Sequence, residues 1–233
     1  MKRTLQSSIC KISFKQQFTR ITPSSKKTMR PATKKDKILV EHIISESFRD
    51  NPNVNYMIRP IFNKEKMINR LADYAFEFAL KRNGLFITSD SKGLVVCCEQ
   101  PIKMDMRDYF NLFKLIITAL NLRKLLNMFR RDAYIKSVRP ADEKGIYIWC
   151  LALPDNMRGN KTAIEIKNFV FDKANQARLP IYIETALWRN KIVFERYGFE
   201  TYHYWESASY RLKTWFLKKK VNPFVLTENN YLQ

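Results

Sequence analysis

GIYIWCLALPDNMRGNKTAIEIKNFVFDKANQARLPIYIETALWRNKIVFERYGFETYHYW, residues Gly145 to Trp205, decides how the rest of the chain is read. Ile146 to Leu153 is a run of β-branched, aromatic and aliphatic residues, the composition of a strand. A polar loop follows, Arg158-Gly159-Asn160-Lys161-Thr162-Ala163. Behind it Ala163, Ile166, Val170, Ala174 and Ala177 recur every three or four residues, the period of a helix with one buried face, as far as about Arg178. The apolar run Pro180 to Thr185 is too short for a helix and reads as a second strand. Strands joined through a helix can lie parallel in one sheet, so the unit is β-loop-α-β.

Working outward, Leu85 to Thr88 and Leu94 to Cys98 flank Ser89-Asp90-Ser91-Lys92-Gly93, a turn composition that predicts a β-hairpin. Glu99 closes its second strand and Pro101 ends it. Cys97 and Cys98 are neighbours in that strand and must point to opposite faces, which suits buried thiols in a reducing compartment. Before the hairpin, Lys64 to Lys81 is a predicted helix with an inner stripe of Met67, Leu71, Tyr74, Ala75, Phe78 and Ala79, stopping at Asn83-Gly84. An earlier helix follows Lys35-Asp36, with Ile38, Leu39, His42, Ile43 and Phe48 near one face and His42 read as a packed core histidine; it ends before Asn51-Pro52.

Met106 to Val138 reads as two helices broken near Asn121, rich in Phe, Leu and Ile with Arg123, Lys124, Arg130 and Arg131 interleaved. Two readings stand: a core element or pocket wall, and a basic amphipathic surface for a membrane or nucleic acid. A closing strand pair is expected at Glu200 to Trp205 and Tyr210 to Leu217.

Forty-two Lys and Arg against 22 Asp and Glu leave a formal charge of +20, a field that favours anionic ligands such as nucleotides, acyl-CoA, nucleic acid or lipid head groups. Ten of the Lys and Arg fall in the first 35 residues, which hold no acid. Residues 1–27 are expected to be a basic extension, with an organellar transit peptide as the alternative to a cytoplasmic protein. Met29, opening MRPATKKD, is a second candidate start. The four cysteines form no CxxC pair and the two histidines stand far from them, so no metal site is expected. No run of roughly 18 uncharged apolar residues occurs, so no membrane-spanning helix is expected.

The order of elements resembles the GNAT superfamily of acyl-CoA-dependent N-acyltransferases. MRPATKKDK looks like that family's opening strand and turn. The strand Trp149 to Leu153 leads into a loop similar to its pyrophosphate signature (Gln or Arg, two residues, Gly, one residue, then Gly or Ala). LPIYIET with Asn190 and the closing Gly198-Phe199 complete the match, from about Thr28 to Lys220.

The resemblance implies an α/β fold with a mixed, mostly antiparallel sheet flanked by helices, in which a splayed pair of parallel strands forms an acyl-CoA groove. It implies a domain over residues 28–220, a tail over 221–233, acetyl-CoA as co-substrate and an amine as acceptor. Carried over residue by residue, the backbone of Leu151, Ala152 and Leu153 would hold the pantetheine arm. Arg158, Gly159, Asn160, Lys161, Thr162 and Ala163 would hold the pyrophosphate, and Asn190 and Phe194 would flank the arm. The loop's own physics agrees: a helix N-terminus presents free N–H groups and a positive dipole end, and Arg158 and Lys161 are unfavourable there unless an anion is near.

Two positions depart from the family pattern. Lys161 stands where the signature has its first Gly. Phe194 stands where a Tyr four residues before the closing Gly commonly protonates the leaving sulfur, and Phe has no proton to give. Glu184, a charged residue in an apolar strand, is the candidate base, and a satisfied strand-end Glu is the alternative; Tyr147 and Glu99 are weaker candidates. A CoA-binding protein without catalysis, and a binder of nucleic acid or anionic membrane, are the competing functions.

Overall fold

The computed structural model of the protein describes residues 28–59, 63–138, 144–154, 161–207 and 212–221. The expected extension over residues 1–27, Arg158, Gly159 and Asn160, and the expected tail beyond Val221 lie outside the described residues.

The described chain opens with β1 (Arg30–Pro31), α1 (Lys37–Phe48), α2 (Pro52–Met57) and α3 (Lys64–Lys81). The hairpin β2 (Leu85–Ile87) and β3 (Leu94–Gln100) follows, then α4 (Met106–Thr118) and α5 (Leu125–Val138). The unit that decides the fold is β4 (Gly145–Ala152), α6 (Lys161–Ala177) and β5 (Ile181–Thr185). The described chain closes with α7 (Trp188–Arg196), β6 (Glu200–Ser207) and β7 (Leu212–Lys219).

The seven strands form one sheet in the order β1-β2-β3-β4-β5-β7-β6. Every pairing is antiparallel except β4 with β5, which run parallel as their helical connection requires. Cys97 and Cys98 show how the sheet divides the core. Cys97 packs with Ile146, Ile148, Val170 and Leu217 under α6, whereas Cys98 packs with Ile43, Ala72 and Phe76 under α1 and α3. A third apolar cluster joins α3 to α4 through Met67, Ile68 and Leu115. Phe76 and Phe216 are among the largest fully buried side chains, each worth about 1.5–3 kcal/mol of transfer free energy.

Two details of the first helices differ from the sequence reading. Ile38 is 82% exposed and His42 is also exposed; the buried residues of α1 are Val40, Ile43, Ile44 and Ser45. His42 is therefore no core histidine. The apolar residues of KILVEHII occur nearly all round the helix, so periodicity did not single out the inner face. The segment after Asn51-Pro52 is α2, because Asn51 caps it, its side chain accepting from the N–H groups of Asn53 (2.9 Å) and Val54 (3.3 Å). Proline at the first helical position costs no hydrogen bond, so Asn-Pro starts a helix here as well as ending one.

Candidate active site

Where β4 leaves β5, the sheet opens. Ile146, Tyr147 and Ile148 pair with Ile181, Tyr182 and Ile183, and the pairing stops there. On its other edge β4 runs on beside β3, with Cys97 opposite Ile148 and Val96 opposite Cys150. Trp149 is thus one residue too many, a β-bulge, and bulges bend and twist the strand that carries them. It also reverses which side chains face which layer: Ile146 and Ile148 share a cluster with Leu151 and Leu153, while Cys150 and Ala152 face the other way. Beyond the bulge, Glu184 and Thr185 stay paired with β7, opposite Phe216 and Trp215. Among the described residues the parallel pairing does not extend to Trp149 to Ala152 or to Glu184 and Thr185, so the two strands diverge there.

A cavity of about 1080 Å³ passes through this opening, lined from both layers of helices. On the α6–α7 face its walls include Ala163, Val170, Asn190 and Phe194, with Leu151 and Leu153 of the β4 end. On the α3–α5 face they include Leu71, Tyr74, Phe78, Leu112 and Met128. Trp149 stands at the passage, its ring 5.0 Å from that of Phe78 and 6.2 Å from that of Tyr74. Burial pushes the Tyr74 phenol up to about 12, with the Asp108 charge adding to it, so it stays a neutral donor.

The charged groups in the cavity wall are sorted by face. Lys167 and Arg189 belong to α6 and α7. Glu46, Asp50, Asp132 and Glu184 line the other side, where Glu46 and Asp50 also pair outward with Arg49 and Lys64. Glu184 faces that layer because Ile181 and Ile183 take the opposite face of the strand. Arg131, at 3.4 Å from Asn53 Oδ1, is the cation among them. Burial lowers its pKa, and Glu184 and Asp132 pull it back up. In a chain of net charge +20, a mouth lined mainly by carboxylates is suited to a cation.

The N-terminus of α6 is fixed from the hairpin. Asp90 accepts from the hydroxyls of Thr88 (2.7 Å) and Thr162 (2.6 Å), and Glu165 accepts from the backbone N–H of Ser89 at 3.0 Å. Gly93 permits this approach: a Cβ there would lie 2.7 Å from Leu153 Cδ2 and 3.1 Å from Thr162 Cγ2. With the Thr162 hydroxyl engaged, its contribution to an anion would come from its N–H.

Of the residues expected at the site, Leu151, Leu153, Ala163, Glu184, Asn190 and Phe194 line one cavity. Ala152 is buried against the α1–α3 layer, and Lys161 is exposed at the first position of α6. Tyr147 lines the cavity and Glu99 does not. The sequence reading missed Arg131, Asp132, Asp90 and the bulge at Trp149. Arg131 stood in a run of basic residues, where nothing local marks one arginine as inward.

This mixed sheet, with one parallel pair opening at a bulge and helices on both faces, is the fold of the GNAT superfamily. No protein-family model matches the sequence, and no curated protein matches it. Solved structures match in fold. A Corynebacterium glutamicum protein described as "histone acetyltransferase HPA2 and related acetyltransferase" is similar over 84% of this chain and 96% of its own, with a TM-score of 0.60 at 17% identity. Arylalkylamine N-acetyltransferase 2 of Aedes aegypti matches over 83% and 98%, with a TM-score of 0.58 at 16% identity. The polyamine N-acetyltransferase of Drosophila melanogaster matches over 83% and 99%, with a TM-score of 0.55 at 9% identity.

Proposed function

We propose that this chain is an acyl-CoA-dependent N-acyltransferase that moves an acetyl group from acetyl-CoA to an amine carried on an apolar or aromatic body. The observation that carries this reading is the cavity through the sheet, with cations in its wall on one face and mainly carboxylates on the other. A thioester of an anionic nucleotide fits the first side, and an ammonium ion the second.

In this reading the free edge of Leu151, Ala152 and Leu153 receives the pantetheine amides as an added strand would be received. The N–H groups of Lys161, Thr162 and Ala163 face the pyrophosphate, with Arg158, Gly159 and Asn160 completing the loop. Asn190 and Phe194 flank the arm. The acceptor lies among Tyr74, Phe78 and Trp149, and its nitrogen meets the thioester carbonyl at the opening. The N–C bond forms, the C–S bond breaks, and the electron pair of the latter leaves on sulfur. The proton shed by nitrogen goes to Glu184, directly or through water. Arg131 favours the neutral, nucleophilic form of the amine in a site of low dielectric. Placement of the two reactants supplies much of the rate. Among the N-acetyltransferases of like fold, those for arylalkylamines and polyamines take amines as acceptors, which agrees with this assignment.

Calorimetric titration with acetyl-CoA and CoA, followed by thiol release with a panel of aromatic and aliphatic amines, tests it. Binding with turnover of the aromatic amines is expected; no binding of either nucleotide overturns the reading. Glu184→Gln is expected to lower kcat by roughly 10²–10⁴. An unchanged rate and pH profile would remove Glu184 as the base. Phe194 favours a second reading, a CoA-binding protein without catalysis, for which tight binding without turnover would be the sign.

A further inference from the structure

α4 carries apolar residues on two faces. Its inner face, with Leu115 and the buried Asp108, closes the cluster on α3. Its outer face presents Met106 (83% exposed), Phe110 (67%), Phe113 (59%) and Ile117 (47%). At 100° per residue these four fall within about 60° of one another on the helix. After the turn, α5 repeats the arrangement with Leu126 and Phe129, at 60% and 49% exposed. Exposed apolar residues scattered singly need no explanation, but a continuous ridge does.

This ridge belongs to a firmly anchored helix. Asp105 and Asp108 form a capping box at its start, and Asp108 is held by Arg82 at 2.6 Å. At its other end Arg59 donates to the carbonyls of Ile117 (2.6 Å) and Leu120 (2.8 Å). Basic residues accompany the ridge: Lys103, Arg107, Lys114, Arg123 and Arg130 are all exposed. The acids nearby are engaged, Asp105 with Lys81, Asp108 with Arg82, and Glu77 with Arg107 itself at 3.5 Å, which leaves Lys103, Lys114, Arg123 and Arg130 as the main basic residues beside the ridge.

We propose that the outer face of α4, continued by α5, is a docking surface for an anionic phospholipid membrane. An apolar stripe with lysines and arginines beside it matches the boundary between acyl chains and anionic head groups. Among the described residues no helix is long and apolar enough to cross a membrane; the proposed contact is one in which α4 and α5 lie along the surface. A second copy of the chain is a poorer occupant, because a two-fold contact would bring the same basic residues together across the interface. Phe129 belongs both to this ridge and to the cavity wall.

The test is co-sedimentation of the full chain, at near-physiological salt, with vesicles of phosphatidylcholine alone and with about one-third phosphatidylserine added. Binding to the anionic vesicles is expected. The double variant Phe110→Ser, Phe113→Ser keeps every charge and is expected to lower that binding roughly ten-fold or more, with an unchanged circular dichroism spectrum and Tm. Ile117→Ser is a milder second variant, expected to weaken binding in the same direction. Failure of the wild type to bind anionic vesicles overturns the proposal. So does equal binding by the double variant, which would mean that charge alone, including the basic residues 1–27, attracts the lipid. A wild-type dimer in light scattering that the same substitutions dissociate would assign the ridge to a second copy instead.

Discussion

Asp108 is 3% exposed and answers to Arg82, Lys81 and the start of α4 at once. The Arg82 guanidinium holds its carboxyl well below the usual carboxylate range. A folded pKa below the ordinary 3.8 means that the stabilisation is fully present above about that pH and is lost as pH falls through the folded value. Asp108→Asn is therefore expected to cost about 3 kcal/mol near neutral pH, since it leaves Arg82 without its charged partner. Thermal unfolding at a series of pH values checks this: the gap to wild type should narrow in acid, and a constant gap would rule out the ion pair as its source. Phe194 makes a catalytic case at the same scale. In the acyltransferase reading, Phe194→Tyr places a phenol beside the leaving sulfur. kcat should rise by up to roughly 10²-fold, with the gain lost above about pH 10 as the phenol ionises.

At the scale of elements, β3 makes a direct prediction. Its adjacent thiols are buried in different layers, and burial pushes Cys97 up to about 12 and Cys98 upward also. Neither should react with iodoacetamide in the native protein, and both should be modified after denaturation, as peptide mass mapping would read. This division of Cys97 and Cys98 was legible in the sequence, because alternation along a strand is strict. So were the bounds of α3, the hairpin, the break near Asn121 and the β4-α6-β5 unit, where period and punctuation agree. The expected stripe of α3 was legible in part: Met67, Ala75 and Ala79 are buried together with Ile68, Ala72 and Phe76, whereas Leu71, Tyr74 and Phe78 are half-buried in the cavity wall. The bulge was not legible: every residue from Ile146 to Leu153 is apolar, so a change of parity at Trp149 leaves no trace in the pattern. The inner face of α1 was misread for a like reason, and α2 because Asn-Pro is an ambiguous signal. The candidate site was legible where it consists of backbone and strand order. Arg131 and Asp132 reach it by the packing of α5, which no local spacing encodes.

At the scale of the whole molecule, Met29 is 5% exposed and Arg30 pairs with both oxygens of Asp36, so the packed core is already under way at the first described residues. Removal of residues 1–27 is expected to leave a folded protein, with Tm within about 2 °C of the full chain, a shift worth no more than about 1 kcal/mol. A loss of cooperative unfolding would place the domain boundary earlier. The sorting of charge between the two faces, by contrast, depends on three-dimensional assembly, and the total of +20 conceals it.

The opening between β4 and β5 has exposed residues at both ends, Arg189 and Val193 on one face and Phe129 and Asp132 on the other. In the acyltransferase reading, two such doorways mean that neither guest need leave to admit its companion. Initial velocities measured against both substrates should then give intersecting reciprocal lines, with CoA competing against acetyl-CoA and leaving the amine's own saturation uncontested. Parallel lines would mean that the acetyl group rests on the protein between two separate visits.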